Sequence, residues 1–272
     1  MCVILQSDLG DRLFIKKLLD VFCYDKIVEV SVGENWPAPL IFILGRYIFM
    51  KYEIVGGNFP AAIVELEQGQ DVFCESGAMA WMTEGIKMKT EAGGIGKLIG
   101  RAFTGEKLFR NHYIAESAGK IAFATNVPGE IKAVELNGNS IIGQKGSFLA
   151  SDPGVEMSVA FQKKVSGALF GGEGIILQKF SGTGTVLVEI DGSAIEYELA
   201  AGEKLIIDTG YMVLMDETCT FDVQMVKGLK NMAFGGEGLF NTVVTGPGKV
   251  VVQTQPFSQT AATIASMIPT SS

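Results

Sequence analysis

Histidine is the scarcest of the chemically versatile residues here: His112 is the one histidine among 272 residues. Metal centres built from several histidines are therefore excluded, and only one residue is available as a histidine base. Long apolar runs are also missing. The most hydrophobic stretch, residues 40–50, contains Arg46 and is shorter than the roughly 20 residues that a membrane-spanning helix needs.

Basic residues are in deficit, with 22 Lys and Arg against 30 Asp and Glu and a net charge of -8. Binding to nucleic acid without sequence preference requires a surplus of cations, so this class of function is disfavoured. The four cysteines, Cys2, Cys23, Cys74 and Cys219, are scattered, which indicates reduced thiols rather than a disulfide framework. With no signal peptide in residues 1–30, we expect a cytoplasmic protein.

The first 49 residues differ from the rest in their sequence pattern. They contain a helix-like stretch at 11–22, whereas strand patterns and glycines dominate from Met50 onward. Met50 is followed by a charge and alternating strand residues, so we expect residues 1–49 to be an extension that need not belong to the native protein. A genuine helical appendage is the alternative.

Three segments of the remaining chain resemble one another. Each carries an apolar-acidic strand pattern, a glycine turn, a phenylalanine-glycine-glutamate motif and a closing glycine before a β-branched strand. The closing glycines Gly119, Gly184 and Gly248 are spaced 65 and 64 residues apart, and Gly105, Gly172 and Gly236 are spaced 67 and 64. This regularity predicts a tandem repeat in which these six glycines form structural turns.

The pattern predicts an all-β fold of three tandem, sandwich-like repeats about a pseudo-three-fold axis. The predicted units are about 50–130, 131–193 and 194–256, within a domain spanning 50–256. Residues 257–272 form a tail, in which we expect a short helix over 258–267. Short helical turns are also expected within 92–102.

A family resemblance rests on two motif pairs: FGGEG at 170–174 with FSGTG at 180–184, and FGGEG at 234–238 with TGPG at 245–248. Residues 50–256 resemble the bacterial and archaeal proteins related to a mitochondrial biogenesis factor of the "altered inheritance of mitochondria" family. The resemblance implies a fold similar to the tryptophan RNA-binding attenuation protein, with double-stranded β-helix-like sheets, and no established activity. Thr104, where the other units have glycine, and residues 1–49 depart from the family pattern.

Glutamates recur at one position of each unit: Glu106, Glu173 and Glu237. If a pseudo-three-fold axis brings them together they offer oxygen ligands to a cation. Alternatively, each carboxylate accepts hydrogen bonds within its own glycine turn, and the repetition favours this structural interpretation.

A basic, glycine-rich segment lies between Ile86 and Arg110. The residues that we consider candidates for binding an anion are Lys97 and Arg101, with Lys163, Lys164, Lys227 and Lys230 in the other units. Such a segment suits an anionic membrane surface or a phosphate-bearing ligand, and an ordinary solvated loop is the equal alternative. No phosphate-binding P-loop motif is present.

No constellation for catalysis is visible, because His112 has no recognisable nucleophile motif beside it in sequence. We therefore expect a non-enzymatic protein without cofactor that binds or scaffolds, forms a homo-oligomer, and contacts a membrane surface or protein partner. The alternatives are an enzyme with a small-molecule or metal pocket between repeats, and an RNA-binding oligomer, although nucleic acid is disfavoured by the charge.

Overall fold

The computed structural model describes residues 49–89, 110–163, 175–225 and 240–268. The chain divides between Phe49 and Met50 into two units, and all described residues except Phe49 belong to the second. Within them no helix is long and apolar enough to cross a membrane.

Strands account for most of the described residues, which confirms the predicted β-rich class. One α-helix, α1, spans Phe257–Met267, and a 3-10 turn spans Thr209–Tyr211. The strands are β1 (Lys51–Val55), β2 (Ala61–Leu66), β3 (Asp71–Glu75), β4 (Met79–Met82), β5 (Ile86–Lys89), β6 (Arg110–Ala115), β7 (Gly119–Ala124), β8 (Gly129–Asn137), β9 (Ile141–Gln144), β10 (Phe148–Ser151), β11 (Val155–Lys163), β12 (Ile175–Asp191), β13 (Ala194–Leu199), β14 (Lys204–Asp208), β15 (Met212–Asp216), β16 (Thr220–Met225), β17 (Phe240–Thr245) and β18 (Gly248–Gln253).

These strands form three antiparallel sheets. The first has the order β1-β2-β7-β4 and the third the order β14-β17-β16. The second joins eleven strands in the order β13-β18-β15-β9-β12-β10-β3-β6-β5, with β8 and β11 also paired to β12. At 17 residues, β12 is long enough to pair with four other strands.

Three strand pairs share one register, in which a leucine lies opposite a glycine. The opposing residues are Leu66 and Gly119 in β2 and β7, Leu136 and Gly184 in β8 and β12, and Leu199 and Gly248 in β13 and β18. All three leucines are buried. The three strand pairs therefore share the same alignment of a buried leucine with a glycine.

A register shift recurs on the other side of the same three strands. It falls between Met79 and Trp81 where β4 meets β7, between Phe148 and Ala150 where β10 meets β12, and between Met212 and Leu214 where β15 meets β18. A bulge of this kind bends a strand and increases its twist. The strands β4, β10 and β15 hence hold corresponding places beside corresponding partners.

Three clusters of buried apolar side chains lie along the molecule. The first includes Val64 and Phe123, the second Phe148 and Phe180, and the third Val244. The rings of Phe148 and Phe180 stack with centroids 5.9 Å apart. Burial of such aromatic side chains contributes about 1.5–3 kcal/mol each, so every cluster stabilises its own strands.

The helix predicted over 258–267 forms as α1 and begins where the chain leaves β18. The backbone N–H of Phe257 donates to Asp191 Oδ2 over 2.7 Å. This carboxylate satisfies a first-turn donor that lacks a partner within the helix, and its negative charge suits the positive end of the helix dipole. The first turn of α1 is thereby bonded to β12.

Candidate interaction surface

The closing glycines lie against polar side chains at the ends of β4, β10 and β15. In each case the backbone N–H after the glycine donates to that side chain. The bonds are Lys120 N to Thr83 Oγ1 at 2.9 Å, Thr185 N to Asp152 Oδ2 at 2.7 Å, and Lys249 N to Asp216 Oδ2 at 2.8 Å. The backbone N–H at this corresponding position donates to a side chain in all three places, once to a hydroxyl and twice to a carboxylate.

The close approach of these polar residues explains why glycine stands there. A Cβ atom at Gly184 would lie 2.6 Å from Cβ of Asp152, and one at Gly119 would lie 2.3 Å from Oγ1 of Thr83. Gly184 and Gly248 also have φ values of 145° and 140°. Gly119 and Gly248 begin strands, whereas Gly184 lies inside β12 and not in a turn.

Asp152 is the most buried of the three polar residues. Its Oδ2 also accepts the backbone N–H of Met50 over 3.0 Å. Burial raises the pKa of the Asp152 carboxyl above its usual value, the bonds from Thr185 and Met50 oppose this effect, and nearby Asp71 reinforces it. Asp152 thus ties β12 and the first described residues to one carboxylate.

Two strand pairings join consecutive predicted units, and we call these two pairings the internal junctions. In the first, β10 pairs with β3, and Ala150 lies opposite Cys74. In the second, β15 pairs with β9, and Leu214 lies opposite Gly143. All four residues of β10 are buried, as are the first four of β15.

The strands β4 and β14 have no such partner among the described residues, and we call them the open edges. Each has one neighbour in its sheet, β7 for β4 and β17 for β14. Trp81 is 51% exposed, Met82 38% and Ile206 67%. Edge strands with exposed apolar side chains and unpaired backbone groups are favoured sites for pairing with another chain.

His112 lies in a packed cluster on β3 and β6 rather than at an open site. Its Nε2 lies 2.7 Å from Oδ2 of Asp71, and its ring stacks on Phe73 with centroids 4.3 Å apart. The Arg110 guanidinium carbon lies 4.6 Å from the centre of the Phe73 ring, and its Nη1 donates to the carbonyl of Val155 over 3.3 Å. These contacts hold β3, β6 and β11 together.

The two described cysteines, Cys74 and Cys219, are free and buried, as unpaired thiols. Burial raises the pKa of the Cys74 thiol to about 12, which leaves it protonated and unreactive. Across the described ranges, no group of three or more His, Cys, Asp or Glu side chains is placed to hold a metal ion.

Most residues that the sequence predicts for ligand binding lie outside the described residues. These are Lys97, Arg101, Lys164, Lys227, Lys230, Glu106, Glu173 and Glu237. The predicted turn glycines Gly105, Gly172 and Gly236 lie outside them as well. Lys163 ends β11, and its side chain is likewise outside the description. The helical turns expected within 92–102 also fall there. These assignments stay predictions.

One part of the basic segment is described. The strand β5 lies at an end of the eleven-stranded sheet, and Lys87 and Lys89 are both exposed. Met88 between them is also exposed, at 52%. Because successive side chains of a strand point to opposite faces, Lys87 and Lys89 share one face of β5 and Met88 lies on the other.

The open edges are the feature that sequence reasoning missed. The signal was available, because Trp81 occupies the place of Ala150 and Leu214 when the three segments are aligned on their bulges. A large aromatic side chain at a position that is otherwise small or aliphatic marks a difference in surroundings. Recognising it requires knowing that this position lies at a junction between units.

The chain is similar to several known proteins. An uncharacterised protein of Streptococcus pyogenes serotype M6 is 31% identical over 224 residues, covering 79% of this chain and 89% of that protein. An X-ray crystal structure of a Streptococcus pyogenes protein matches with a TM-score of 0.69 at 28% identity, over 80% of this chain and 100% of that one. The family model described as mitochondrial biogenesis AIM24 matches residues 52–255. This match spans most of the chain, which confirms the resemblance found in the sequence: the chain belongs to the AIM24 family.

Proposed function

We propose that this AIM24-family chain is a non-enzymatic scaffold that self-associates, built from three copies of one β unit about a pseudo-three-fold axis. Support for the three copies comes from the shared leucine-glycine register, the shared bulges and the polar contact at each closing glycine. The likeness to the fold of the tryptophan RNA-binding attenuation protein is part of this proposal.

The observation that carries self-association is the pair of open edges. Consecutive units join at the internal junctions through strands that correspond to β4 and β14. The last and first units each keep one unused edge of this kind, with exposed apolar side chains. Edge strands with exposed apolar side chains are suited to pair with another copy of the chain.

Native mass spectrometry of the full chain tests this function. A discrete oligomer without added mass is the expected result. A monomer at micromolar concentration would contradict self-association. A stoichiometric added mass, from a metal or a metabolite, would contradict the scaffold and favour an enzyme with a pocket between units.

A second candidate function is contact with an anionic membrane surface, which the exposed Lys87 and Lys89 favour. The two cations share one face of β5 and attract anionic headgroups there. Sedimentation with vesicles of phosphatidylglycerol should then exceed that with phosphatidylcholine. The variant K87E/K89E should lose this preference, whereas binding that survives both charge reversals would contradict a contact through β5.

A further inference from the structure

We propose that the apolar face of α1 is a membrane-contact surface, which inserts into the headgroup region of weakly charged, loosely packed lipid bilayers. This contact goes beyond both proposed functions, because it uses neither the open edges nor the cations of β5. Its occupant is lipid, and the argument rests on where the apolar side chains of α1 lie, what covers them, their charge and their area.

The first step is the arrangement of the apolar side chains. Phe257, Ala261, Ile264 and Ile268 follow one another at intervals of four, three and four residues, which places them on one side of a helix. Phe257 and Ile264 are each 54% exposed, and Ile268, at the end of the helix, is 62% exposed. Met267 lies one turn after Ile264 and is 75% exposed. We call the surface that these side chains form the α1 face.

The second step is the lack of cover over the α1 face. The first turn is held by Asp191, and Nε2 of Gln255 donates to Oγ1 of Thr260 over 3.4 Å. From Ala262 onward, every side chain that the structure describes is exposed. Helices of about this length are marginal in water, and most of their stability in proteins comes from packing an apolar face. The second half of α1 therefore gains stability from a partner that covers this face.

The third step is charge. Residues 254–268 contain no Asp, Glu, Lys, Arg or His, and the side of α1 away from the α1 face carries Ser258, Gln259 and Thr263. An interfacial helix without cations gains nothing from anionic headgroups, so its binding depends on the apolar area that it buries. The whole chain has a net charge of -8, which an anionic surface repels. An uncharged helix on such a chain suits a neutral bilayer.

The fourth step is area, which distinguishes lipid from a protein partner. Four large side chains that are each a little more than half exposed present roughly 500 Å² of surface. A stable protein interface takes about 800 Å² from each partner and has a polar rim. The α1 face is too small and too uniform for that, for a second copy as for another protein. A bilayer requires neither a matching shape nor a rim, and short amphipathic helices bury one such face at its surface.

A contact of this kind has two properties that a charged contact lacks. Large apolar side chains enter a bilayer where the headgroups leave gaps, and gaps are more frequent in strongly curved membranes. Binding through the α1 face should therefore increase with curvature. It should also be insensitive to salt, because no charge on α1 is available to be screened.

Flotation of the full chain with phosphatidylcholine vesicles tests the contact. We expect binding to small sonicated vesicles that exceeds binding to large extruded vesicles about fivefold and does not change with salt. Ile264→Glu should reduce this binding about tenfold, because it places a charge within the α1 face. Ala262→Glu is the matched control, since Ala262 is also exposed but lies on the opposite side of the helix, and this variant should bind like the wild type. Circular dichroism without vesicles should give the same spectrum for both variants.

The outcomes separate this contact from the proposed functions. Loss of binding in I264E with full binding in K87E/K89E supports the α1 face. Equal binding by I264E and A262E overturns it, as does a wild type that binds only vesicles containing phosphatidylglycerol, which would leave β5 as the membrane contact. If the wild type binds no vesicle and I264E alone dissociates the oligomer in native mass spectrometry, a second copy covers the α1 face, and the lipid contact is overturned while the scaffold stands.

Discussion

The internal junctions and the open edges are built from corresponding strands, yet they differ sharply in burial. Leu214 at an internal junction is 3% exposed, whereas Trp81 in the same place on β4 is 51% exposed. Both lie one residue beyond the same bulge. The difference in burial follows from the neighbouring strand, which one position has and the other lacks. Whether the residue after the bulge is buried therefore depends on a neighbouring strand and not on the bulge itself.

The largest expected effect comes from introducing an aspartate at each of these two positions, in separate variants. Leu214→Asp should destabilise the folded chain by roughly 4 kcal/mol or more, because it removes a buried side chain and buries a carboxylate without a partner. Trp81→Asp should cost about 1 kcal/mol or less, as expected for a surface position, while abolishing the oligomer. Urea unfolding followed by circular dichroism measures the first, and native mass spectrometry the second.

Equal loss of stability in the two variants would break this comparison. It would mean that β4 is covered within one chain and that Trp81 belongs to its core. A stable, oligomeric W81D variant would instead show that β4 takes no part in assembly.

The next effect concerns the closing glycine in the middle of the molecule. Gly184→Ala brings a Cβ atom into contact with Asp152 at a φ of 145°, and we expect a loss of about 3 kcal/mol from overpacking and backbone strain. Gly138→Ala is the matched control, since its φ is 85° but nothing lies within 4 Å of the new atom. The control should lose about 1 kcal/mol in the same urea experiment. Similar losses would show that conformation rather than the contact with Asp152 requires glycine.

A smaller effect is expected at Asp152 itself. Asp152→Ala leaves the N–H groups of Thr185 and Met50 without their acceptor, at a cost of about 2 kcal/mol. Asp152→Asn keeps an oxygen acceptor and removes the charge. Because the pKa of Asp152 is raised on folding, its neutral form contributes stability fully below the usual value of 3.8, and this is lost as pH rises through the raised pKa.

Stability measured from pH 3 to pH 7 isolates that contribution. The wild type should lose stability relative to D152N as pH rises. A difference that does not change with pH would mean that the carboxyl titrates alike in the folded and unfolded chain.

The smallest effect is expected at an exposed ion pair on the first sheet. Hydrogen bonds from Lys120, at 2.9 Å, and from Lys51 lower the pKa of Glu65 to about 2. Its ionised form adds stability above the usual value of 4.5, and this is lost as pH falls through about 2. Carbon-detected NMR titration should show the lowered pKa, and Lys120→Ala should raise it more than Lys51→Ala. No change in either variant would contradict the pairing.

Spacing in the sequence was sufficient to predict much of the architecture. The β-rich class follows from alternating apolar residues bounded by glycines, and the family follows from the FGGEG motifs with their partner glycines. The helix near the end was also predictable, because a proline precedes it and alanine and serine fill it. These features depend on residues that are close together in the chain.

The features that the sequence did not predict depend on which strands, distant in the chain, become neighbours in the fold. The hydrogen-bonding contact between His112 and Asp71 joins residues 41 apart, and nothing local to either residue indicates the other. Gly184 was predicted to form a turn, but Asp152, 32 positions earlier, packs against it and the strand continues through. The exposure of Trp81 likewise follows from an unfilled position beside β4, which composition and periodicity do not reveal.

The length of β12 has a consequence for how the molecule unfolds. Its 17 residues pair with β8, β9, β10 and β11, and β12 lies between β9 and β10 in the eleven-stranded sheet. Local opening is cheapest where few strands must separate, and the four-stranded and three-stranded sheets meet that condition better than the eleven-stranded sheet. Hydrogen exchange should thus be slowest along β12 and faster in the two smaller sheets. Releasing β12 from the sheet therefore requires breaking its pairings with four strands.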